Sequence, residues 1–188
     1  MTDIHRILAI AAVTASTLLA LVFLRAAWHK ASDLTRFSGF LDGYGLVPET
    51  LVEPAARLLL GLEGAAVLLL VMPWTAKIGS LLAMALLLLY ALAIGLSLAR
   101  GRRTIDCGCG GASQPLSAAL PVRNLVLCVI ATLPLAVETP VLSLGEAAAA
   151  IPAGFMLFLL FLVVDQLLAN DSHARLINDT LTGKGNTP

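Results

Sequence analysis

Residues 78–99 read IGSLLAMALLLLYALAIGLSLA, 22 positions without a charge, and the basic cluster Arg100, Arg102 and Arg103 follows at once. A helix of that length is about 33 Å long, enough to cross the roughly 30 Å hydrocarbon core of a bilayer. Working outward, residues 7–24 form a second uncharged run of about 27 Å. It exceeds a usual signal-peptide core, ends in Arg25, Trp28 and Lys30, and carries no convincing small-x-small cleavage site, so it reads as a retained span. Residues 55–72 carry Arg57 and, near the middle, Glu63, and Pro73-Trp74 closes the run with a helix breaker and an interfacial aromatic. In residues 116–137 Arg123 is the only charge; Pro121 suits a first turn and Pro134 is expected to kink or end the helix. Residues 147–164 make a fifth span before Asp165.

Composition agrees. Of 188 residues, 59% are hydrophobic and 13% charged, about half the roughly 25% charged fraction of a soluble domain. A mean hydropathy of +0.91 leaves too few polar groups to cover a water-facing surface. Lys and Arg balance Asp and Glu at net charge zero, so no basic field holds a nucleic acid. Three cysteines do not make a disulfide-stapled scaffold. With no water in the hydrocarbon region to satisfy backbone amides, the spans must be helices packed on one another. The expected fold is an all-α integral membrane bundle: a four-helix unit over 7–137, a fifth helix over 147–168, and a polar, irregular tail over 169–188. Gly61 with Ala65 and Gly64 with Leu68 are candidate close-packing positions.

If all five helices span, the 25–53 loop, the 100–123 loop and the C-terminal tail share one side. That side holds Arg25, Lys30, Arg36, Arg100, Arg102, Arg103, Arg123, Arg175 and Lys184; the other holds Arg6 and Lys77, with Arg57 inside a helix. The positive-inside rule then places the first side in the cytoplasm.

The sharpest chemical feature is Asp106-Cys107-Gly108-Cys109-Gly110-Gly111, between the third and fourth spans. Glycines on both sides let the chain turn tightly enough to bring the two sulfurs together, and a disulfide across so small a ring would be strained and labile. Arg100, Arg102 and Arg103 favour thiolate, while Asp106 opposes it. Cys107 and Cys109 are therefore the candidate catalytic pair of a thiol–disulfide oxidoreductase. Two other readings stay open: incidental loop cysteines, or a metal half-site, for which His29 is the one obvious further ligand; no metal site is assigned. Cys128, inside the fourth span, reads as a small hydrophobe unless the fold brings it to the pair.

Arg25, Trp28, His29 and Lys30 close the first span, with Arg25 and His29 at i and i+4 on one face. They are either snorkelling anchors or, with Glu63, the lining of a pocket for an anionic or quinone-like head group. A charged Glu63 in mid-span needs a cation, for which Arg57 and Arg25 are the candidates.

Taken together, four blocks resemble the MauE family, methylamine utilisation membrane proteins within the wider DoxX-like group. They are Arg25 with Lys30; Phe37, Phe40, Leu41, Tyr44 and Leu46-Val47-Pro48; Pro54 with Glu63; and Cys107-Gly-Cys109-Gly. The resemblance covers roughly 7–137. Gly110 stands where that family usually carries Phe, so an aromatic that would pack over the thiols is missing. The resemblance implies a bacterial inner-membrane protein that serves maturation, disulfide formation or transport of the methylamine dehydrogenase beta (light) subunit or a similar exported partner. It also implies a thioredoxin-like partner, and similarity to thiol oxidoreductase bundles makes a quinone a candidate acceptor. That role calls for the cysteines outside, against the charge count. The competing functions are a non-catalytic assembly subunit and a small metal-handling or transport protein.

Overall fold

The computed structural model describes residues 3–101, 117–137 and 142–181. Every regular element among them is a helix: α1 (Asp3–Ser32), α2 (Leu34–Gly43), α3 (Glu49–Val71), α4 (Ala76–Ala99), α5 (Ala119–Ile130), α6 (Leu133–Ala136) and α7 (Leu144–Leu181). Five helical segments are long and apolar enough to cross a membrane: α1, α3, α4, α5 with α6, and the first 28 residues of α7. The chain is a multi-pass, all-helical membrane protein.

Local chemistry sets the breaks. Asp33 ends α1 and caps α2, its Oδ1 accepting from the Arg36 amide at 2.9 Å. Gly45, at φ +59°, turns the chain out of α2, and Pro48 leads into α3. Past Val71 the chain turns at Pro73 and Trp74, and Thr75 donates its hydroxyl back to the Leu69 carbonyl at 2.8 Å. Pro134 acts as expected. Its missing amide splits the fourth span, which pauses at Ala131-Thr132 and resumes as the single turn of α6.

Along its length α1 packs against α3 and α7, while α4 packs between α3 and α5. Leu18, Leu19 and Phe23 of α1 meet Leu70 of α3, Leu86 and Leu87 of α4, and Leu127 of α5 in the main core. Outward, Leu58, Leu68, Leu92, Val129 and Leu160 stay exposed, as lipid-facing positions do. The ends differ. At one, here the loop face, α1 ends, α2 lies, α3 begins, α4 ends and α5 begins; residues 102–116 connect those last two. The opposite face holds the α3–α4 turn and the starts of α1 and α7.

Several boundaries depart from the sequence reading. The first span continues to Ser32, so Arg25, His29 and Lys30 lie within α1 and not beyond it. The 168/169 boundary falls inside α7, which runs on to Leu181. Close packing uses other glycines: Gly61 and Gly64 have nothing within 4 Å of where a Cβ would sit. At Gly79 a Cβ would lie 2.8 Å from the Leu70 amide nitrogen, and at Gly154 2.6 Å from the Thr17 Cβ and 2.8 Å from the Thr14 carbonyl oxygen. These two set the α3–α4 and α1–α7 approaches. Gly79→Val and Gly154→Val should each cost roughly 1–3 kcal/mol by overpacking. By contrast, Gly61→Ala should be neutral or gain up to about 1 kcal/mol from helix propensity. Thermal unfolding of the three variants in detergent checks this, and equal melting of Gly154→Val and wild type would refute the close approach.

Candidate functional site

Toward the loop face, where the hydrocarbon region should be uniformly apolar, the bundle interior holds five charged side chains among the described residues. Lys30 of α1 and Glu63 of α3 form an ion pair with both side chains almost fully buried. Tyr90 of α4 completes it: the Lys30 ammonium donates to the Tyr90 hydroxyl at 3.3 Å, and that hydroxyl donates to Glu63 Oε1 at 2.7 Å. Lys30 Nζ also lies 4.9 Å from the ring centre of Phe37 and 4.8 Å from that of Tyr90. Phe37 is the buried residue of α2, so the short helix is tucked onto the buried ammonium by a cation–π contact.

A second cluster adjoins the first. Asp165 of α7 receives Arg25 of α1 on Oδ2 at 2.9 Å and Arg123 of α5 on Oδ1. The Arg123 guanidinium lies 5.6 Å from the Phe161 ring centre, and its Nη2 reaches Asn124 Oδ1 at 3.5 Å. Arg25, Lys30 and Arg123 against Glu63 and Asp165 leave a formal charge of +1. Between the clusters lies a cavity of about 30 Å³, lined by Arg25, Lys30, Glu63, Tyr90, Arg123 and Asn124 among others. Glu63 Oε2, Arg123 Nε and Asn124 Nδ2 are buried there without a protein hydrogen-bond partner. A polar space of that size holds a water molecule. It does not hold a quinone ring, since small-molecule sites run to roughly 300 Å³ and above. The residues proposed for a quinone head group therefore do not fit one.

Of the sequence-derived pocket, Arg25, Lys30 and Glu63 line this cavity, whereas His29 is exposed on the far side of α1. Glu63 takes neither expected cation: Arg57 pairs with Glu53 on the exposed side of α3, and Arg25 belongs to Asp165. Tyr90, Arg123, Asn124 and Asp165 were not anticipated as site residues. The available signals were Arg123, the only charge in the fourth span, and Asp165 at the end of the fifth apolar run, opposite charges that each need a partner at that depth. Cys107 and Cys109 lie outside the described residues. Cys128 is buried in α5, its sulfur 3.9 Å from the Met84 carbonyl oxygen.

Fold and site together define a five-span helical membrane protein with an ion-paired polar centre at one end. The family described as Methylamine utilisation protein MauE matches residues 8–137, and the chain belongs to it. Similar relatives are the methylamine utilization protein MauE of Paracoccus denitrificans, 36% identical over 88% of this chain and 91% of the relative, and that of Methylophilus methylotrophus, 33% identical over 84% and 85%. That of Methylorubrum extorquens is 37% identical over 60% and 62%. No solved structure matches the chain.

Removing one member of a buried pair strands the other, at roughly 3–5 kcal/mol, whereas replacing both by apolar groups is close to neutral. Lys30→Met and Glu63→Ala should each lower stability by that order, Glu63→Gln should be milder, and the Lys30→Met/Glu63→Leu double variant should recover most of the loss. Melting curves in detergent for the four proteins test the pair; additive losses in the double variant would show that the two side chains do not interact.

Proposed function

We propose that this protein is a thiol–disulfide relay of the bacterial inner membrane that serves methylamine utilisation. Its task is disulfide formation during maturation of an exported partner, with the methylamine dehydrogenase beta subunit the leading candidate. The observation that carries the reading is the Cys107-Gly108-Cys109-Gly110 sequence in a chain of the MauE family, within the stretch connecting α4 to α5.

Each exchange balances as a two-electron transfer, with a second protein disulfide as the final oxidant. A thiolate of a thioredoxin-like partner attacks one sulfur of the Cys107–Cys109 disulfide, and the other sulfur leaves as thiolate. The partner's second thiolate then attacks the mixed disulfide. The partner gains a disulfide, and Cys107 and Cys109 are left as two thiols. A second exchange with another protein disulfide returns the pair to its oxidised form. Arg100 and the adjacent Arg102 and Arg103 favour the leaving thiolate, and the net positive centre of Arg25, Lys30, Arg123, Glu63 and Asp165 lies toward the same face.

An exported partner requires the cysteines on the outer side, and three of the nine cations counted against that orientation are not loop charges. Arg25, Lys30 and Arg123 are ion-paired inside the bundle. With the Arg100, Arg102 and Arg103 cluster assigned to thiolate chemistry, Arg36, Arg175 and Lys184 stand against Arg6 and Lys77. That difference sets no orientation.

Replacing Cys107 or Cys109 by Ser should trap a mixed disulfide with a thioredoxin-like protein, visible on non-reducing gels, and the double Ser variant should abolish complementation. Full complementation by the double variant, with nothing trapped, would make the chain a non-catalytic assembly subunit instead. On a Cys128→Ser background, a membrane-impermeant maleimide should label the pair in intact cells after mild reduction. Protection until lysis would place the pair in the cytoplasm and rule out direct oxidation of an exported partner.

A further inference from the structure

Away from the ion-paired centre, toward the opposite face, the bundle carries a groove of about 520 Å³ open to the lipid-facing surface. Small side chains make its floor: Ala12, Ser16 and Ala20 recur every four residues on one face of α1, with Leu24 at the deep end. Ala147 and Ile151 of α7 form one wall, and Trp74 and Lys77 stand at the α3–α4 turn. From Ala12 to Leu24 the groove extends about 18 Å along α1, slightly more than the depth of one leaflet in a core of roughly 30 Å. Its shape is that of a slot for a single acyl chain entering from the interface.

Charge complementarity selects the head group. Lys77 is exposed at the mouth, in the first turn of α4, and makes no ion pair among the described residues. Trp74, also exposed, marks the headgroup level. We infer that this groove is a specific site for an anionic glycerophospholipid, one acyl chain lying along α1 beneath the start of α7 and the phosphate resting on Lys77. The bound chain fills the space that α7, held to α1 at Gly154 and Asp165, leaves open beside Ser16 and Ala20.

Native mass spectrometry of the full chain, delipidated in detergent and titrated separately with phosphatidylglycerol and phosphatidylcholine of identical acyl chains, tests this. The anionic lipid should bind about fivefold more tightly, the contribution of one cation near an anionic head group. Lys77→Glu, at an exposed position that leaves the fold intact, should abolish that preference while acyl binding persists. Val13→Phe, which fills the groove from α1, should weaken both lipids. Equal affinity for the two lipids, a preference that survives Lys77→Glu, unchanged binding to Val13→Phe, or a quinone co-purifying in the groove and displaced by Val13→Phe would each overturn the proposal.

Discussion

Placing Lys30 and Glu63 at membrane depth constrains the whole bundle. Either side chain alone would be a charge in a medium that solvates it poorly, so α1 and α3 adopt the register in which ammonium and carboxylate meet. Tyr90 brings in α4 through the same carboxylate oxygen, and Phe37 fixes α2 over the ammonium. One carboxylate thus sets the relative rotation of three spans and the seat of a fourth, shorter helix. Asp165 does the same for α1, α5 and α7 by accepting two arginines. Through α1, common to both clusters, the five spans share one polar centre.

Spans were legible in the sequence because length and the absence of charge are the only requirements that the bilayer core sets. Pairing was not, because a partner depends on how helices turn toward one another. Arg57 looks close to Glu63 in sequence, but six residues at about 100° each put it some 240° around the helix, so it faces outward to Glu53. From sequence alone Lys30 fits either a snorkelling anchor at the end of the first span or, with Glu63, a pocket lining. Since α1 continues to Ser32, Lys30 is a helical residue about three turns from the core leucines Leu18 and Leu19, and it turns inward with Phe23 and Ala26. His29, its neighbour, then points out, since adjacent helical residues are about 100° apart.

The residues that carry the family resemblance gather physically. Lys30, Phe37 and Glu63, quoted from three separate blocks, touch or adjoin one another, and Arg25 lines the same cavity. Spacing alone hid that convergence. The glycines show the reverse. Gly61 and Gly64 had the sequence pattern of a close-packed face and open onto free space, because a small residue marks an approach only where a neighbouring backbone arrives. Gly79, spaced four residues from Ala83, and Gly154, four residues after Ala150, carry the same kind of spacing and are where the backbones meet.

How α7 is held follows from the solvent. In water an apolar helix would be driven onto the bundle by burial, but lipid tails are as apolar as leucine, so burial alone gives no preference for helix over lipid. Most of the α7 spanning surface is accordingly exposed, including Phe155, Met156, Leu160 and Val163. Beside the partly exposed Arg6–Glu146 contact at 4.0 Å, two buried attachments stand out. Gly154 lets the α7 backbone settle against Thr14 and Thr17 of α1, and Thr14 donates its hydroxyl to the Ala150 carbonyl at 3.2 Å. Some 16 Å further along, three turns of helix, Asp165 binds Arg25 and Arg123. Two fixed points on a rigid helix determine both its tilt and its rotation. The contact between Gly154 and α1 needs only packing, whereas that at Asp165 requires two charges from other spans, so α7 completes the polar centre as well as being positioned by it.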